Sequence, residues 1–144
     1  MQVHHILKSK ATDAVVTVTS GTTISDVAKI LSEKRIGTVV VSNDGETALG
    51  ILSERDIVRE LANRGASCLS DTAESYMTSK LVTCGRNDDA DHILTLMTDG
   101  RFRHMPVVED GKLVGLITIG DVVKARLTEL AMERNALEGM IMGH

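Results

Sequence analysis

Two stretches of the chain repeat the same succession of apolar and polar positions. Residues 36–56 read IGTVVVSNDGETALGILSERD, and residues 103–121 read RHMPVVEDGKLVGLITIGD. In each stretch an apolar, strand-like run precedes an Asp-Gly dipeptide, a second apolar run, and a hydroxyl residue with an aspartate three positions later. This pattern predicts a β-hairpin that leads directly into the first turn of a helix. The chain therefore contains an internal repeat.

In each copy the sequence predicts a short strand, then a helix, and then the hairpin. Apolar residues fall at i, i+3, i+4 and i+7 counted from Ile24 in the first copy and from Ala90 in the second, which predicts one buried face per helix. Thr23 and Asp89 are the expected N-cap residues of these helices. The short strands are predicted at residues 15–18 and 81–84. Matched elements are offset by 65 or 66 positions, an agreement that favours true duplication.

The predicted fold class is α+β (α/β), with two β-α-β-β-α units. A unit of about fifty residues is too small to bury its own faces, so we expect the two to pack together around a pseudo-twofold axis. The predicted boundaries are an N-terminal arm at 1–9, a first repeat at 10–65, a linker at 66–79, a second repeat at 80–128, and a C-terminal helix extension at 129–144. A single helical turn is expected inside the linker, near residues 73–77.

The last helix extends well past the second repeat. Leu127, Leu130, Leu137 and Ile141 fall at heptad-like spacing, although Arg134 interrupts the seam. The helix either lies on its own domain or forms a dimer contact. The apolar face outlasts the repeat it would have to cover, which favours the dimer contact.

Composition narrows the classes of function. The formal net charge is −4, and no basic stripe with interleaved aromatic residues occurs, so nucleic acid is an unlikely partner. No apolar stretch suits a signal peptide or a membrane span, and we expect a cytoplasmic protein. Cys68 and Cys84 lack metal-site spacing, and the adjacent His4 and His5 make a poor ligand pair, so no metal is expected.

The repeated helix start is where chemistry is expected, because the common phosphate-loop, dinucleotide, zinc-protease and hydrolase motifs are absent from the sequence. The N-terminus of a helix favours an anion. Ser53 and Thr118 place a hydroxyl there, and the carboxylates of Asp56 and Asp121 are suited to accept hydrogen bonds from ribose hydroxyls. Taken alone, each Ser/Thr-x-x-Asp element is more simply a capping arrangement. Its recurrence with the hairpin and with a glycine favours ligand binding.

The repeated phrases Gly50-Ile-Leu-Ser-x-x-Asp56 and Gly115-Leu-Ile-Thr-x-x-Asp121 resemble those of a tandem pair of CBS domains, also called a Bateman module. The resemblance covers roughly residues 10–128 and is greatest to small stand-alone CBS-pair proteins. It implies binding of adenosyl ligands such as AMP, ADP, ATP, NAD-type dinucleotides or S-adenosylmethionine in two clefts between the repeats. It also implies pairing of two chains into a four-repeat disk, hence a homodimer.

The resemblance assigns roles to residues of both copies. Asp56 and Asp121 would hold the ribose, with Ser53 and Thr118 near ribose or phosphate. The strand at Met105 and Pro106 would contact adenine through its backbone, and Pro106 also withholds a backbone donor from the sheet. The remaining nucleotide-binding candidates, covering the phosphate side, the base pocket and the first-copy counterparts, are Arg103, His104, Arg55, Thr17, Thr83, Cys84, Thr38 and Val39.

The two copies differ, since only the second has a basic residue and a proline at this strand. The Asp121 cleft is accordingly predicted to be the better mononucleotide site, with Arg103 and His104 beside it.

The predicted function is a non-catalytic regulatory module that senses energy or redox state for an unidentified partner protein. AMP is the first choice of ligand, and ATP or NAD(H) are further possibilities. The alternative is a dimeric protein-interaction scaffold whose clefts are vestigial. A nucleotide hydrolase has little support, because no general base or metal cluster accompanies the acids.

Overall fold

The computed structural model of the protein describes residues 1–10 and 15–141. Its elements run in the following order along the chain: α1 (Val3–Ser9), β1 (Thr17–Val18), α2 (Ile24–Lys34), β2 (Thr38–Val41), β3 (Gly50–Ser53), α3 (Glu54–Arg64), a 3-10 helix (Gly65–Ser70), α4 (Ala73–Tyr76), α5 (Ala90–Gly100), β4 (His104–Glu109), β5 (Lys112–Thr118) and α6 (Ile119–Ile141). The predicted mixture of helices and strands in two copies is confirmed, as is the helical turn in the linker.

The two copies form separate small sheets with matching registers. In the first, β1 runs parallel to β2, and β2 pairs antiparallel with β3 so that Thr38 faces Ser53. In the second, β4 pairs antiparallel with β5 so that His104 faces Thr118. Each hairpin therefore delivers its hydroxyl residue to the start of the following helix, as the sequence predicted.

The second hairpin has the predicted two-residue turn, with Asp110 at φ 52° and Gly111 at φ 76°. The first does not, because residues 42–49 form a longer loop between β2 and β3. The Asp44 carboxylate organises that loop by accepting hydrogen bonds from the backbone N–H groups of Glu46 and Thr47, at 2.8 and 2.7 Å. These hydrogen bonds hold the pKa of Asp44 well below its usual value, and the bond from Thr47 has the largest effect.

The prediction of a strand at residues 81–84 is wrong. This segment forms a single parallel bridge, between Cys84 and Val107. In the first copy, the N–H of Val40 donates to the carbonyl oxygen of Val16 at 3.1 Å, which extends the pairing. Pro106 occupies the position equivalent to Val40 and has no N–H to donate. The missing donor accounts for the shorter pairing in the second copy and confirms the expected gap in the ladder.

Each repeat has its own aliphatic core, and each core includes the helix that precedes the other repeat. The core of the first repeat contains Ala73 of α4, whereas that of the second contains Val3 and Ile6 of α1. The residues predicted to be an N-terminal arm are thus a helix whose apolar face is fully buried against the second repeat. Exchange of α1 and α4 between the cores ties the two halves together.

Backbone hydrogen bonds repeat this exchange in both halves. The N–H of Val3 donates to the carbonyl oxygen of Asp88 at 3.0 Å, and the N–H of Ala73 donates to that of Thr22 at 2.8 Å. Each bond joins the first residue of the exchanged helix to the start of the other repeat's first long helix. Helices α1 and α4 are therefore equivalent elements, of which α1 is the longer.

Helix α6 leaves its domain after its first two turns. Val122 and Ala125 are its buried residues. Beyond them the apolar side chains are exposed, including Leu127 at 63%, Leu137 at 59% and Ile141 at 84%. The predicted extension is helical through Ile141, and the part of that prediction that concerns residues 142–144 lies outside the described residues.

Thr38 and His104 meet where the two repeats face each other. Thr38 Oγ1 lies 3.0 Å from His104 Nε2, and the two residues start equivalent strands, β2 and β4. Contact between equivalent positions is what an approximate twofold axis produces. Burial lowers the pKa of His104, and the nearby cations Lys10 and Arg103 lower it further.

We expect His104 to make folding sensitive to mild acid. Because its pKa in the folded state lies below the ordinary value of 6.5, the unfolded chain binds the proton first as the pH falls. The free energy of unfolding should therefore decrease as the pH drops below about 6.5 and through the folded-state pKa. Urea denaturation between pH 7.5 and 5.5 should show a smaller decrease for His104→Gln than for the wild type. Equal decreases in both proteins would contradict the assignment.

Candidate functional site

The N-terminus of α3 is a complete capping box. The Ser53 hydroxyl accepts a hydrogen bond from the Asp56 N–H at 3.3 Å, and Asp56 Oδ2 accepts from the N–H and the hydroxyl of Ser53 at 2.9 and 3.0 Å. Arg59 contacts the other carboxylate oxygen, Oδ1, at 3.0 Å. Capping is thus present as predicted, and it fixes the carboxylate beside the positive end of the helix.

The N-terminus of α6 repeats the same geometry with one added partner. The Thr118 hydroxyl accepts from the Asp121 N–H at 3.1 Å, and Asp121 Oδ2 accepts from the Thr118 N–H at 2.9 Å. The ammonium group of Lys10 also donates to Asp121 Oδ2, at 2.9 Å. The aspartate of the second copy is therefore engaged by a residue from the far end of the chain.

A cavity of about 650 Å³ opens beside the α3 N-terminus, between the two repeats. Ser53, Asp56 and Gly37 line it from the first repeat. The segment before the second repeat and the segment before β4 complete its wall, so that neither repeat forms the cavity alone. The other lining residues are Ile51, Glu54, Arg55, Arg59, Thr78, Lys80, Leu81, Val82, Gly100, Arg101, Phe102, Arg103 and His104.

The cavity lining is strongly cationic for a protein with a negative net charge. It has five basic side chains against the carboxylates of Glu54 and Asp56, namely Arg55, Arg59, Lys80, Arg101 and Arg103. Several cations around one helix N-terminus create a positive local potential that attracts anions.

An apolar wall completes the same cavity. Ile51, Leu81, Val82 and Phe102 supply it, and Phe102 is the single phenylalanine of the sequence. An apolar wall, a fixed carboxylate and a group of cations together fit an amphipathic ligand that has a flat apolar part, hydroxyl groups and negative charge.

Arg103 and His104 line this cavity rather than the one beside Asp121, where the sequence predicted them. The Arg103 carbonyl oxygen accepts from the Ile119 N–H at 2.9 Å, so its backbone does lie at the start of α6. Arg103 also lines the cavity at Asp56. The predicted role of these two residues beside Asp121 stays a prediction.

A smaller cavity of about 450 Å³ contains Asp121. Its remaining walls come from α1 and α6, with His5, Ser9, Lys10 and Lys124 among the lining residues. Burial by itself raises the pKa of Asp121, but the hydrogen bonds from Lys10 and Thr118 outweigh this effect and hold the pKa below its usual value. Asp121 consequently keeps its charge at a pH where an ordinary aspartate begins to be protonated.

The residues predicted to form the base pocket do not line either of these two cavities. Thr17 of β1 pairs with Val40 of β2, and Thr83 is exposed. The others are buried, namely Met105, Pro106, Val39, Thr38 and Cys84. Their roles in binding adenine stay predictions.

Burial raises the pKa of the Cys84 thiol to about 12, and the nearby Asp88 and Glu109 carboxylates act in the same direction. The thiol therefore stays protonated near neutral pH and is poorly suited to act as a nucleophile.

Eleven of the sixteen residues that line the larger cavity were not predicted as site residues. Four of these eleven supply charge or an aromatic ring, namely Arg59, Lys80, Arg101 and Phe102. Lys80 and Phe102 precede strands of the second copy and were assigned to that copy by their position in the chain. The segment after α4 brings Lys80 beside the first repeat, and Phe102 packs against the core of its own repeat while it lines the same cavity. Arg59 alone had a sequence signal, because it lies one turn after Asp56 on the same helix.

Two classes of feature are absent from the part of the chain that the structure describes. Within residues 1–10 and 15–141, no group of three or more His, Cys, Asp or Glu side chains is arranged to hold a metal ion. Across the same residues, no helix combines the length and apolarity that a membrane crossing requires.

The CBS domain family matches the sequence twice, at residues 5–63 and 73–128. A crystal structure of a CBS-domain containing protein from Agrobacterium tumefaciens is 44% identical and superposes with a TM-score of 0.82, covering 88% of this chain and 99% of that one. The CBS domain pair of protein MJ0100, solved in complex with 5-methylthioadenosine and S-adenosyl-L-methionine, is 27% identical with a TM-score of 0.76, covering 90% and 98%.

A mitochondrial CBS domain-containing protein of Arabidopsis thaliana, CBSX3, is 35% identical over 129 residues. That match covers 87% of this chain and spans 63% of the length of the plant protein. The two family matches lie on the two structural repeats described above. This chain belongs to the CBS-domain family and carries two CBS domains in tandem.

Proposed function

We propose that this chain is a non-catalytic regulatory module that binds an adenine nucleotide in the cavity beside Ser53 and Asp56. Binding there would report energy or redox state to a partner protein. The observation that carries the proposal is the composition of this one cavity, where a fixed carboxylate, an apolar wall and five cations surround a helix N-terminus.

The carboxylate of Asp56 is suited to hold a ribose. A carboxylate offers about four acceptor positions, and Ser53 and Arg59 occupy three of those of Asp56. The Arg59 side chain is 56% exposed, so it can leave Asp56 and turn towards a phosphate when hydroxyl groups arrive. This exchange keeps both charged groups hydrogen-bonded in the complex.

The charge of the cavity favours a ligand with more than one phosphate group. Five cations against two carboxylates leave a local excess of positive charge that a single phosphate of AMP only partly neutralises. ATP, ADP and NAD-type dinucleotides carry more negative charge, and arginine binds phosphate oxygens in a bidentate manner. The sequence alone ranked AMP first, whereas the geometry supports ATP.

The ligands bound to the MJ0100 pair share the adenosyl group but lack phosphate. They fit the part of the present cavity that has Asp56 and the apolar wall, but they leave its cations unused. We therefore expect 5-methylthioadenosine and S-adenosylmethionine to bind this chain more weakly than ATP. The cations around Arg55 and Arg103 would supply the difference.

A second candidate function, a dimeric interaction scaffold, is favoured by the exposed face of α6. Leu130, Leu137 and Ile141 share one heptad-like seam and are 48%, 59% and 84% exposed. Pairing of this seam with a second copy of the chain would remove apolar surface from water. This role is compatible with nucleotide binding, since the larger cavity is formed by the two repeats and not by the end of α6.

Titration calorimetry of the wild type should show ATP binding with a higher affinity than AMP, S-adenosylmethionine or 5-methylthioadenosine. Asp56→Asn should weaken ATP binding by about 10- to 100-fold, because a hydrogen bond to a charged group contributes about 1.5–3 kcal/mol. Arg103→Ala should reduce the preference for ATP over AMP, since it removes positive charge from the phosphate side.

Lys29→Ala is the matched control for the loss of a positive charge. Lys29 is exposed on α2 and lines neither cavity, so its removal should leave ATP affinity nearly unchanged. The absence of heat with every ligand, or tighter binding of the phosphate-free ligands, would refute the proposed function.

Leu137→Glu should shift a wild-type dimer towards monomer in sedimentation velocity experiments, because it places a charge in the apolar seam of α6. Asn135→Glu adds the same charge almost on the opposite side of the helix and should leave association intact. A wild-type monomer at high protein concentration, or equal effects of both substitutions, would rule out pairing through this seam.

A further inference from the structure

The C-terminal end of α1 reaches Asp121, the aspartate in the capping box of the second copy. Lys10 follows α1 directly and lies 111 positions before Asp121, yet its Nζ atom is 2.9 Å from Asp121 Oδ2. Both side chains are 24% exposed, so the ion pair is largely shielded from solvent. The contact places a cation on one of the two carboxylate oxygens that could accept a hydrogen bond from a ribose hydroxyl.

The same ammonium group also replaces a backbone contact of the first copy. Lys10 Nζ donates to the Leu116 carbonyl oxygen at 2.9 Å. At the equivalent position, the Ile51 carbonyl oxygen accepts from the Thr78 N–H at 2.8 Å. The first copy thus satisfies this carbonyl with a backbone segment, and the cation on Asp56 is Arg59, whose side chain is 56% exposed. In the second copy the shielded Lys10 side chain serves both the carbonyl and Asp121.

Leu7 packs against the strand on the same side. A Cβ atom on Gly115 would lie 2.9 Å from Leu7 Cδ2, so the absence of a side chain at Gly115 is what admits the leucine. Ile6, one residue earlier, is 2% exposed in the core of the second repeat. Helix α1 is therefore anchored at its apolar face, and its end is held over the β5–α6 junction.

We propose that Lys10, held in place by α1, is a latch that keeps the Asp121 cleft closed to ligand. The two clefts of this chain are then functionally unequal: Asp56 loses only the exposed Arg59 when a ribose binds, and Asp121 accepts a ribose only after the shielded Lys10 leaves. This inference rests on the proposed function, in that it takes the aspartate of each capping box to be the acceptor for ribose.

With this latch, the ligand and the Lys10 ammonium group compete for the same carboxylate, that of Asp121. A ligand that binds Asp121 has to displace Lys10, and its apparent affinity falls by the fraction of molecules in which the latch is open. Reciprocally, ligand in the Asp121 cleft weakens the attachment of the α1 end to the second repeat. Occupancy of the second cleft would thereby be reported at the N-terminal segment.

The test compares ATP binding by Asp56→Asn with that by the double variant Asp56→Asn/Lys10→Met. The first substitution weakens binding at Asp56, so that the change in affinity on adding Lys10→Met reports the Asp121 cleft. We expect Lys10→Met to tighten this binding by about 10-fold or more, the change that corresponds to about 1.4 kcal/mol. Simple loss of a positive charge would instead weaken the binding of an anion, so the sign of the effect is diagnostic.

Lys8→Met in the same background is the matched control, because Lys8 is exposed on α1. It should leave the affinity unchanged. An unchanged or weaker affinity with Lys10→Met would overturn the latch. Failure of Asp56→Asn to weaken binding in the wild-type background would count against the proposed function alone, and no binding by any variant would overturn both.

Hydrogen exchange gives a second readout that a merely structural lysine would not produce. At ATP concentrations that fill the second cleft of the wild type, the backbone amides of α1 should exchange faster than in the ligand-free protein. Asp121→Asn should abolish this ligand-dependent increase. Exchange in α1 that does not respond to ATP in the wild type would also overturn the latch.

Discussion

The contact between Thr38 and His104 is the constraint on which the arrangement of the two repeats depends. These residues begin equivalent strands, and their side chains meet at 3.0 Å. Because β2 and β4 each pair with the strand that ends at a capping residue, this one contact also sets the separation of the two helix N-termini. Two clefts of related chemistry follow from the duplication.

The clefts differ because the segments that cross between the repeats differ. The segment after α4 is extended, bonds to Ile51 and lines a roomy cationic cavity. Helix α1 is longer than α4 and delivers Lys10 onto Asp121. Duplication therefore accounts for the two acids, and the unequal crossing segments account for their unequal surroundings. The nucleotide sensing proposed at Asp56 and the conditional access proposed at Asp121 both follow from this one asymmetry.

Local features of the fold were predictable from the sequence because they depend on neighbours along the chain. The capping boxes at Ser53 and Thr118, the turn at Asp110 and the gap caused by Pro106 are of this kind. The larger cavity, which Arg103 lines, was not predictable, because segments of both repeats form its wall. Contacts across the pseudo-twofold axis leave no local signal in either copy.

A crystal structure of the wild-type protein grown with ATP tests the central claim most directly. We predict ribose hydroxyls against the Asp56 carboxylate, phosphates among the cations that include Arg55 and Arg103, and an intact contact between Lys10 and Asp121. Nucleotide bound at Asp121 with the larger cavity vacant would contradict the account.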